Sequence, residues 1–168
     1  MKYAQINLFD IANGVGIRVS LFVSGCGFNC PGCFNQESQS FSYGADYTSR
    51  EEQLILTQLQ REDFDGLSIL GGDPFWQDDD DIIQLQELCD KVHKLGKNVW
   101  MWTGYEWNEI LGNQKLLDLA SHCDYLIDGR FEKDKKDLSL AWRGSSNQRI
   151  IDVKKTLEGD KTCVITKE

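Results

Sequence analysis

Apolar residues occupy every second position of one segment near the start of the chain. Four aliphatic residues are separated there by single residues: Ile17, Val19, Leu21 and Val23. This two-residue period places successive side chains on opposite faces of an extended backbone. The pattern therefore predicts a β-strand, and a glycine-rich loop with several cysteines follows it directly.

Longer periods further along the chain predict helices. A helix running to about residue 60 is predicted to open at Thr48 or Ser49, because acidic residues follow within its first turn. Apolar residues recur at helical spacing over residues 82–95, where a glycine then ends the pattern. A shorter helix is predicted around residues 115–121.

Short apolar runs between these helices predict more strands. They lie at residues 66–70, 99–102 and 125–127, with an edge strand at residues 149–153. Strand, loop and helix therefore recur about four times, which predicts parallel strands joined by right-handed crossovers.

Polar and glycine-rich loops come where the predicted strands end. They comprise the cysteine loop and residues 71–74, 103–105 and 128–130. In α/β barrels and open parallel sheets, this edge carries the active site. A complete barrel takes about 250 residues, and this chain has 168. We therefore expect an α/β fold, a truncated open (β/α) barrel with parallel strands. We expect one domain over residues 1–168, with residues 153–168 as a peripheral tail.

Composition and charge narrow the functional classes. The chain is 40% hydrophobic, which is enough for the core of one domain. Its formal charge of −9 repels phosphate backbones and argues against a nucleic-acid partner. No run approaches the roughly 20 apolar residues of a membrane span, and no basic and apolar leader opens the chain. We therefore expect a cytoplasmic protein with no membrane partner.

The candidate chemistry lies in the cysteine loop. Cys26, Cys30 and Cys33 form a C-x3-C-x2-C triplet, and three cysteines within eight positions favour reduced thiols that bind metal. Four cysteines would close a zinc or electron-transfer cluster site, whereas three leave one metal position open. A structural zinc site is the alternative, with a fourth ligand from His93, His122 or a distant cysteine.

The triplet, together with the later Gly-Gly-Asp-Pro sequence at residues 71–74, resembles the radical S-adenosylmethionine (radical SAM) superfamily. Further segments resemble, within it, the family of activating proteins for anaerobic ribonucleoside-triphosphate reductase. These segments are residues 13–16, 21–26, 102–105, 128–130 and 142–149. The resemblance runs from about Ile6 to Asp152, and residues 142–149 point most directly to this family.

The resemblance implies an enzyme with a [4Fe-4S] cluster and S-adenosyl-L-methionine (SAM) as cofactors. The reduced cluster would break the sulfonium bond of SAM and give methionine and a 5′-deoxyadenosyl radical. That radical would generate a glycyl radical on anaerobic ribonucleoside-triphosphate reductase, and a separate electron donor would be the second partner. The alternatives are another glycyl-radical activase, a carboxy-deazaguanine synthase that acts on a small pterin, or a zinc-binding adaptor.

The resemblance also implies roles for individual residues. Three irons would be bound by Cys26, Cys30 and Cys33. The methionyl ammonium of SAM would meet backbone oxygens or the carboxylate within Gly71, Gly72, Asp73 and Pro74. Adenine would contact Gly32, Cys33 and Phe34. Thr103, Asp128 and Arg130 lie on the same predicted rim, where a guanidinium suits the SAM carboxylate. Residues 142–149 would bind nucleotide, line the SAM site or dock the partner.

Overall fold

The structure is a computed structural model, and it describes residues 1–159 and 161–165. Its strands are β1 (Lys2–Asp10), β2 (Arg18–Val23), β3 (Ala45–Asp46), β4 (Gly66–Gly71), β5 (Asn98–Trp102), β6 (Tyr125–Asp128) and β7 (Arg149–Asp152). Its α-helices are α1 (Ser49–Leu59), α2 (Asp79–Lys94), α3 (Trp107–Leu111), α4 (Gln114–Ala120) and α5 (Val153–Glu158).

All seven strands belong to one open sheet, in the order β3-β1-β2-β4-β5-β6-β7. The four central strands β2, β4, β5 and β6 run parallel, as predicted. The expectation that all strands are parallel is wrong at the edges of the sheet, where β1, β3 and β7 pair antiparallel with their neighbours. The short loop from β1 to β2 allows only antiparallel pairing, since a parallel connection needs a long crossover.

Helices α1 to α4 pack on one face of the sheet. Their apolar side chains share the main core with alternate strand residues such as Val19, Ile69 and Met101. The intervening residues of the same strands face the opposite side, where Trp100 and Ile127 form a second, smaller cluster. The strand order β2-β4-β5-β6 follows the chain, so successive crossovers of one hand place every helix on the same face. The opposite face is therefore available for a cavity.

The predicted helices form close to their expected bounds, for local reasons. Thr48 caps α1 and makes a capping box with Glu51, whose carboxylate accepts from the Thr48 backbone N–H at 2.9 Å. Asp78 caps α2, whose first turn is acidic and whose last turn is basic. The sequence patterns missed β1, β3, α3 and α5. Much of β1 is half-buried on both faces, which weakens the alternation that marks a strand.

The segment after β7 contacts the sheet. The Ile165 backbone N–H donates to the Ile150 carbonyl at 2.7 Å, and the Asp152 N–H donates to the Cys163 carbonyl at 2.9 Å. The predicted tail is thus attached to the β7 edge over the part that is described, and residues 160 and 166–168 lie outside the described residues. Among the described residues, no helix is long and apolar enough to cross a membrane.

Candidate functional site

A cavity of about 410 Å³ opens on the face of the sheet opposite helices α1 to α4. It is lined by residues from the loops that follow all four parallel strands: Cys26, Cys30 and Cys33 after β2, Gly71, Gly72 and Asp73 at the end of β4, Thr103 and Gly104 after β5, and Gly129 after β6. The prediction that these loops meet at one edge is confirmed, because the carboxyl ends of parallel strands lie side by side.

Backbone hydrogen bonds fix the cysteine loop. The Gly25 N–H donates to the Ser38 carbonyl at 2.7 Å, and the Cys26 N–H donates to the Gln39 carbonyl at 3.0 Å. Within the loop, the Cys33 N–H donates to the Cys30 carbonyl at 3.2 Å. The segment after the triplet therefore folds back over its start and directs all three thiols to the same cavity.

The thiols are free and partly buried. Burial raises the pKa of the Cys26 thiol to about 12 and also raises the pKa of Cys30. Both are therefore protonated at neutral pH in the absence of metal, and metal binding would release their protons. Within the described residues, no three His, Cys, Asp or Glu side chains are grouped to bind a single metal ion.

Neither histidine lies at the cavity. The His93 ring is 2.8 Å from the Asp124 carboxylate, and the His122 ring is 2.7 Å from the Asp118 carbonyl. Both have partners away from the cysteine loop. The three distant cysteines, Cys89, Cys123 and Cys163, do not line the cavity either, so none of the fourth ligands named for the zinc alternative lies there.

Gly71 and Gly72 allow the loop after β4 to pack against the cysteine loop. Gly71 has φ of +109°, and a Cβ on Gly72 would lie 2.6 Å from the Gly25 carbonyl oxygen and 2.7 Å from that of Ser38. The Asp73 N–H donates to the Gly25 carbonyl at 2.8 Å. Glycine is thus needed at position 72 because a side chain there would clash with the backbone of the cysteine loop.

Asp73 is buried and ties two loops together. Its carboxylate accepts from the Phe75 N–H at 2.9 Å, the Thr103 hydroxyl at 3.0 Å and the Gly104 N–H at 2.8 Å. Burial raises the pKa of Asp73 to about 7, although the three donors favour the charged form. The carboxylate is thus occupied by the protein's own donors, which favours the backbone oxygens as acceptors for a ligand.

Asp128 and Arg130 lie at the predicted edge but do not line the cavity. The Asp128 carboxylate pairs with the Arg149 guanidinium, with Nε at 3.0 Å, and accepts from the Trp107 N–H at 2.8 Å. Arg130 contacts Glu109 at 3.1 Å. Both side chains thus form ion pairs within the protein, and the Arg130 guanidinium also lies 4.5 Å from the centre of the Phe28 ring, which lines the cavity. The ligand role implied by the resemblance stays a prediction for these two residues.

Aromatic side chains surround the cysteine loop. The Phe34 ring, 56% exposed, lies 5.1 Å from the Phe131 ring at the cavity mouth. Phe28 also lines the cavity and packs edge-on against Trp76 and Tyr105. Sequence reasoning missed Phe28, although its position between two cysteines was an available signal. Gly32 and Pro74, two other predicted contacts, adjoin lining residues without lining the cavity.

A buried polar network that the sequence pattern did not reveal reaches the cavity through Asn13. Arg18 is fully buried; its Nε donates to the Ser68 hydroxyl at 2.6 Å, and a terminal nitrogen donates to the Leu67 carbonyl at 2.7 Å. The Ser68 hydroxyl donates in turn to the carbonyl of Asn13, which lines the cavity. Burial lowers the pKa of Arg18 to about 10, so it stays charged at neutral pH.

Residues 142–148 form one wall of the cavity. Four residues of this segment line it: Trp142, Arg143, Gly144 and Gln148. The sequence left the role of the segment open, and the structure shows that it lies at the cavity. Arg149, at the end of the same segment, points away to Asp128. Leu138 and Leu140 extend this wall to the cavity mouth and were not singled out by the sequence.

Comparisons with known proteins agree with this site. Residues 12–151 match the family described as a 4Fe-4S single cluster domain. The chain is 40% identical over 153 residues to the anaerobic ribonucleoside-triphosphate reductase-activating protein of Escherichia coli (strain K12), with 89% of this chain and 97% of the relative covered. The proteins of the same name from Pasteurella multocida and Enterobacteria phage T4 are 41% and 35% identical, over 89% of this chain and 96% and 93% of theirs.

The chain therefore belongs to the class of proteins that carry a single 4Fe-4S cluster. Within that class, it belongs to the family of anaerobic ribonucleoside-triphosphate reductase-activating proteins. The residues fit such a cluster, because three thiols and a glycine-lined space share one cavity. Three thiolates leave the fourth iron open to a further ligand.

Proposed function

We propose that this protein is a radical SAM activase that generates a glycyl radical on anaerobic ribonucleoside-triphosphate reductase. The observation that carries this function is the shared cavity, in which Cys26, Cys30 and Cys33 face the loop that contains Gly71 and Gly72. The three thiols would hold the cluster in the cavity that this loop also lines. The rest of the cavity would then receive SAM.

Cys26, Cys30 and Cys33 would hold the [4Fe-4S] cluster, which would supply the electron for reductive cleavage of SAM and so allow a hydrogen atom to be removed from a glycine of the reductase. The protein holds the reactants in line and limits the access of water. Phe28 contributes to this exclusion, since it packs against Trp76 and Tyr105 beside Cys26. The hydrogen bond from the Asp73 N–H to the Gly25 carbonyl ties the loop of residues 71–74 to the cysteine loop.

The proposed SAM contacts are the predicted residues that line the cavity: Cys33, Phe34, Gly71, Gly72, Asp73 and Thr103. Gly32 and Pro74 do not line the cavity, but each adjoins a proposed contact in the chain, Cys33 and Asp73 respectively. Asp128 and Arg130 are left out of the proposed contacts because their side chains are engaged by Arg149 and Glu109.

The fold suits a large substrate. All four crossover helices lie on one face, and the sheet remains open between β3 and β7, which supports the truncated (β/α) barrel of a radical SAM domain. Two apolar side chains are exposed at the cavity mouth, Phe34 at 56% and Leu138 at 81%. Exposed apolar groups beside an active site are typical of a surface that contacts another protein. We place the reaction in the cytoplasm, where thiols stay reduced.

The test is anaerobic reconstitution of the cluster, followed by reduction with dithionite in the presence of SAM and a reductase deuterated at glycine Cα. We expect deuterated 5′-deoxyadenosine and a glycyl radical signal in electron paramagnetic resonance. Absence of SAM cleavage by protein with a full complement of iron would overturn the proposed function. Labelling of a small molecule alone, without a radical on the reductase, would favour a small-substrate enzyme.

A further inference from the structure

Arg143 stands out among the described residues that line the cavity because it is the one lysine or arginine there. Asp73 is the one acidic residue in the same set, and its carboxylate already accepts from three donors of the protein. A cation that faces a cavity without an acidic partner in that cavity is suited to an anionic group of a ligand.

The guanidinium of Arg143 is only partly satisfied. One terminal nitrogen donates to the Gln148 carbonyl at 3.1 Å. Its Nε is buried and has no hydrogen-bond partner among the described residues. A buried donor without an acceptor is unfavourable, so a shift of the side chain that brings the guanidinium to an acceptor on a ligand in the cavity would stabilise the complex.

The wall that carries Arg143 is held in a strained conformation. Trp142 has φ of +58°, which is uncommon for a residue with a side chain. Its carbonyl accepts from the Trp102 indole N–H at 2.8 Å. Such strain persists only where surrounding contacts impose it, and it concentrates at binding and active sites.

The side chain of Gln148 holds the wall in place through three hydrogen bonds. Its side-chain oxygen accepts from the Gly144 N–H at 2.9 Å and the Ser145 N–H at 3.2 Å, and its nitrogen donates to the Gly129 carbonyl at 3.0 Å. The wall is thereby tied to the end of β6. Arg143 is therefore presented to the cavity from a fixed backbone, which lowers the entropy cost of binding.

We propose that Arg143 binds the methionyl carboxylate of SAM. This assignment rests on the proposed function and adds a residue that sequence reasoning left undecided. SAM carries an ammonium, a sulfonium and one carboxylate, so the carboxylate is the group that a guanidinium selects. The planar guanidinium donates to a carboxylate through paired N–H groups.

The test combines a protein change with a ligand change. SAM and decarboxylated SAM are compared by anaerobic competition binding on cluster-loaded wild type and Arg143→Gln. We expect Arg143→Gln to weaken SAM binding about ten- to hundredfold, the range for a hydrogen bond to a charged group. It should change the binding of decarboxylated SAM by less than about twofold, because that ligand lacks the group that Arg143 contacts.

Two further variants serve as controls. Arg61→Gln removes the same charge from an exposed side chain that pairs with Asp63, and it should bind both ligands as wild type does. Arg143→Lys keeps the charge and should recover part of the SAM affinity even if the glutamine variant folds poorly. Iron content and circular dichroism verify the cluster and fold of each variant.

The outcomes separate the two proposals. Equal losses for SAM and decarboxylated SAM would assign Arg143 a structural role and overturn the inference. Wild-type affinity of Arg143→Gln for SAM would also overturn it, while leaving the proposed function intact. If wild type with a full cluster binds no SAM, the proposed function fails first.

Discussion

The Thr103 hydroxyl donates a hydrogen bond of 3.0 Å to the Asp73 carboxylate, and both side chains are buried. This contact joins the loops after the neighbouring parallel strands β4 and β5. The same carboxylate also accepts from the Gly104 and Phe75 N–H groups. The two loops therefore form one structural unit below the proposed SAM position.

We expect Asp73→Ala to lower the free energy of unfolding by more than Thr103→Val. Asp73→Ala leaves two buried donors and one partly buried donor without an acceptor, and each buried group costs about 1–3 kcal/mol. Thr103→Val removes one donor and should cost about 1 kcal/mol. Anaerobic urea denaturation of the metal-free variants measures the difference. Similar losses in both variants would contradict the central role given to Asp73.

Each of Cys26→Ser, Cys30→Ser and Cys33→Ser should abolish the iron absorbance and SAM cleavage, because two thiolates remain where three are required. Cys163→Ser is the matched control, since this cysteine is also partly exposed but does not line the cavity. It should retain wild-type iron content. A full cluster in any single variant of the triplet would remove that residue from the ligand set.

Gly72→Ala should impair both cluster incorporation and SAM binding. Its Cβ would lie 2.6 Å from the Gly25 carbonyl oxygen, so the cysteine loop must shift. Gly112→Ala is the control, because its Cβ would meet its nearest neighbour at an ordinary 3.5 Å. Iron content and anaerobic calorimetry with SAM measure the two effects. A normal cluster with SAM affinity alone reduced would mean that Gly72 is required by the ligand and not by the loop.

The pair of His93 and Asp124 predicts a pH dependence of stability. The carboxylate raises the pKa of His93, so the stabilisation is fully present below pH 6.5, the usual value for histidine, and is lost as pH rises through the folded-state pKa. Both side chains are more than a third exposed, so the effect should stay below about 1 kcal/mol. His93→Gln should flatten the unfolding profile in this range, and an unchanged profile would contradict the assignment.

Leu138→Ser should reduce glycyl radical formation on the reductase while SAM cleavage with dithionite continues. Leu138 is 81% exposed at the cavity mouth, where the protein substrate is proposed to contact the activase. Leu111→Ser is a matched control, since Leu111 is 52% exposed on α3 and does not line the cavity. Equal radical yields from the two variants would place the contact surface elsewhere.

Local chemistry made several features predictable from the sequence alone. The C-x3-C-x2-C spacing concentrates three thiols in one loop, whatever the rest of the fold does. The capping box at Thr48 and the two-residue period around Leu21 depend on neighbours in the chain, so α1 and β2 formed as predicted. The carboxyl ends of parallel strands meet at one edge, which made the shared cavity predictable as well.

Tertiary contacts decided the rest, because they depend on residues far apart in the chain. Arg130 and Arg143 are both cations near the predicted edge, yet Glu109 pairs with the first and the second faces the cavity. The antiparallel pairing of β7 brings Arg149 next to Asp128, and the two side chains form an ion pair that the sequence did not predict. A polar side chain is used by the fold when the tertiary structure places a protein partner within hydrogen-bond distance of it, and it is available to a ligand when no such partner is present. The spacing of residues along the sequence does not determine these distances.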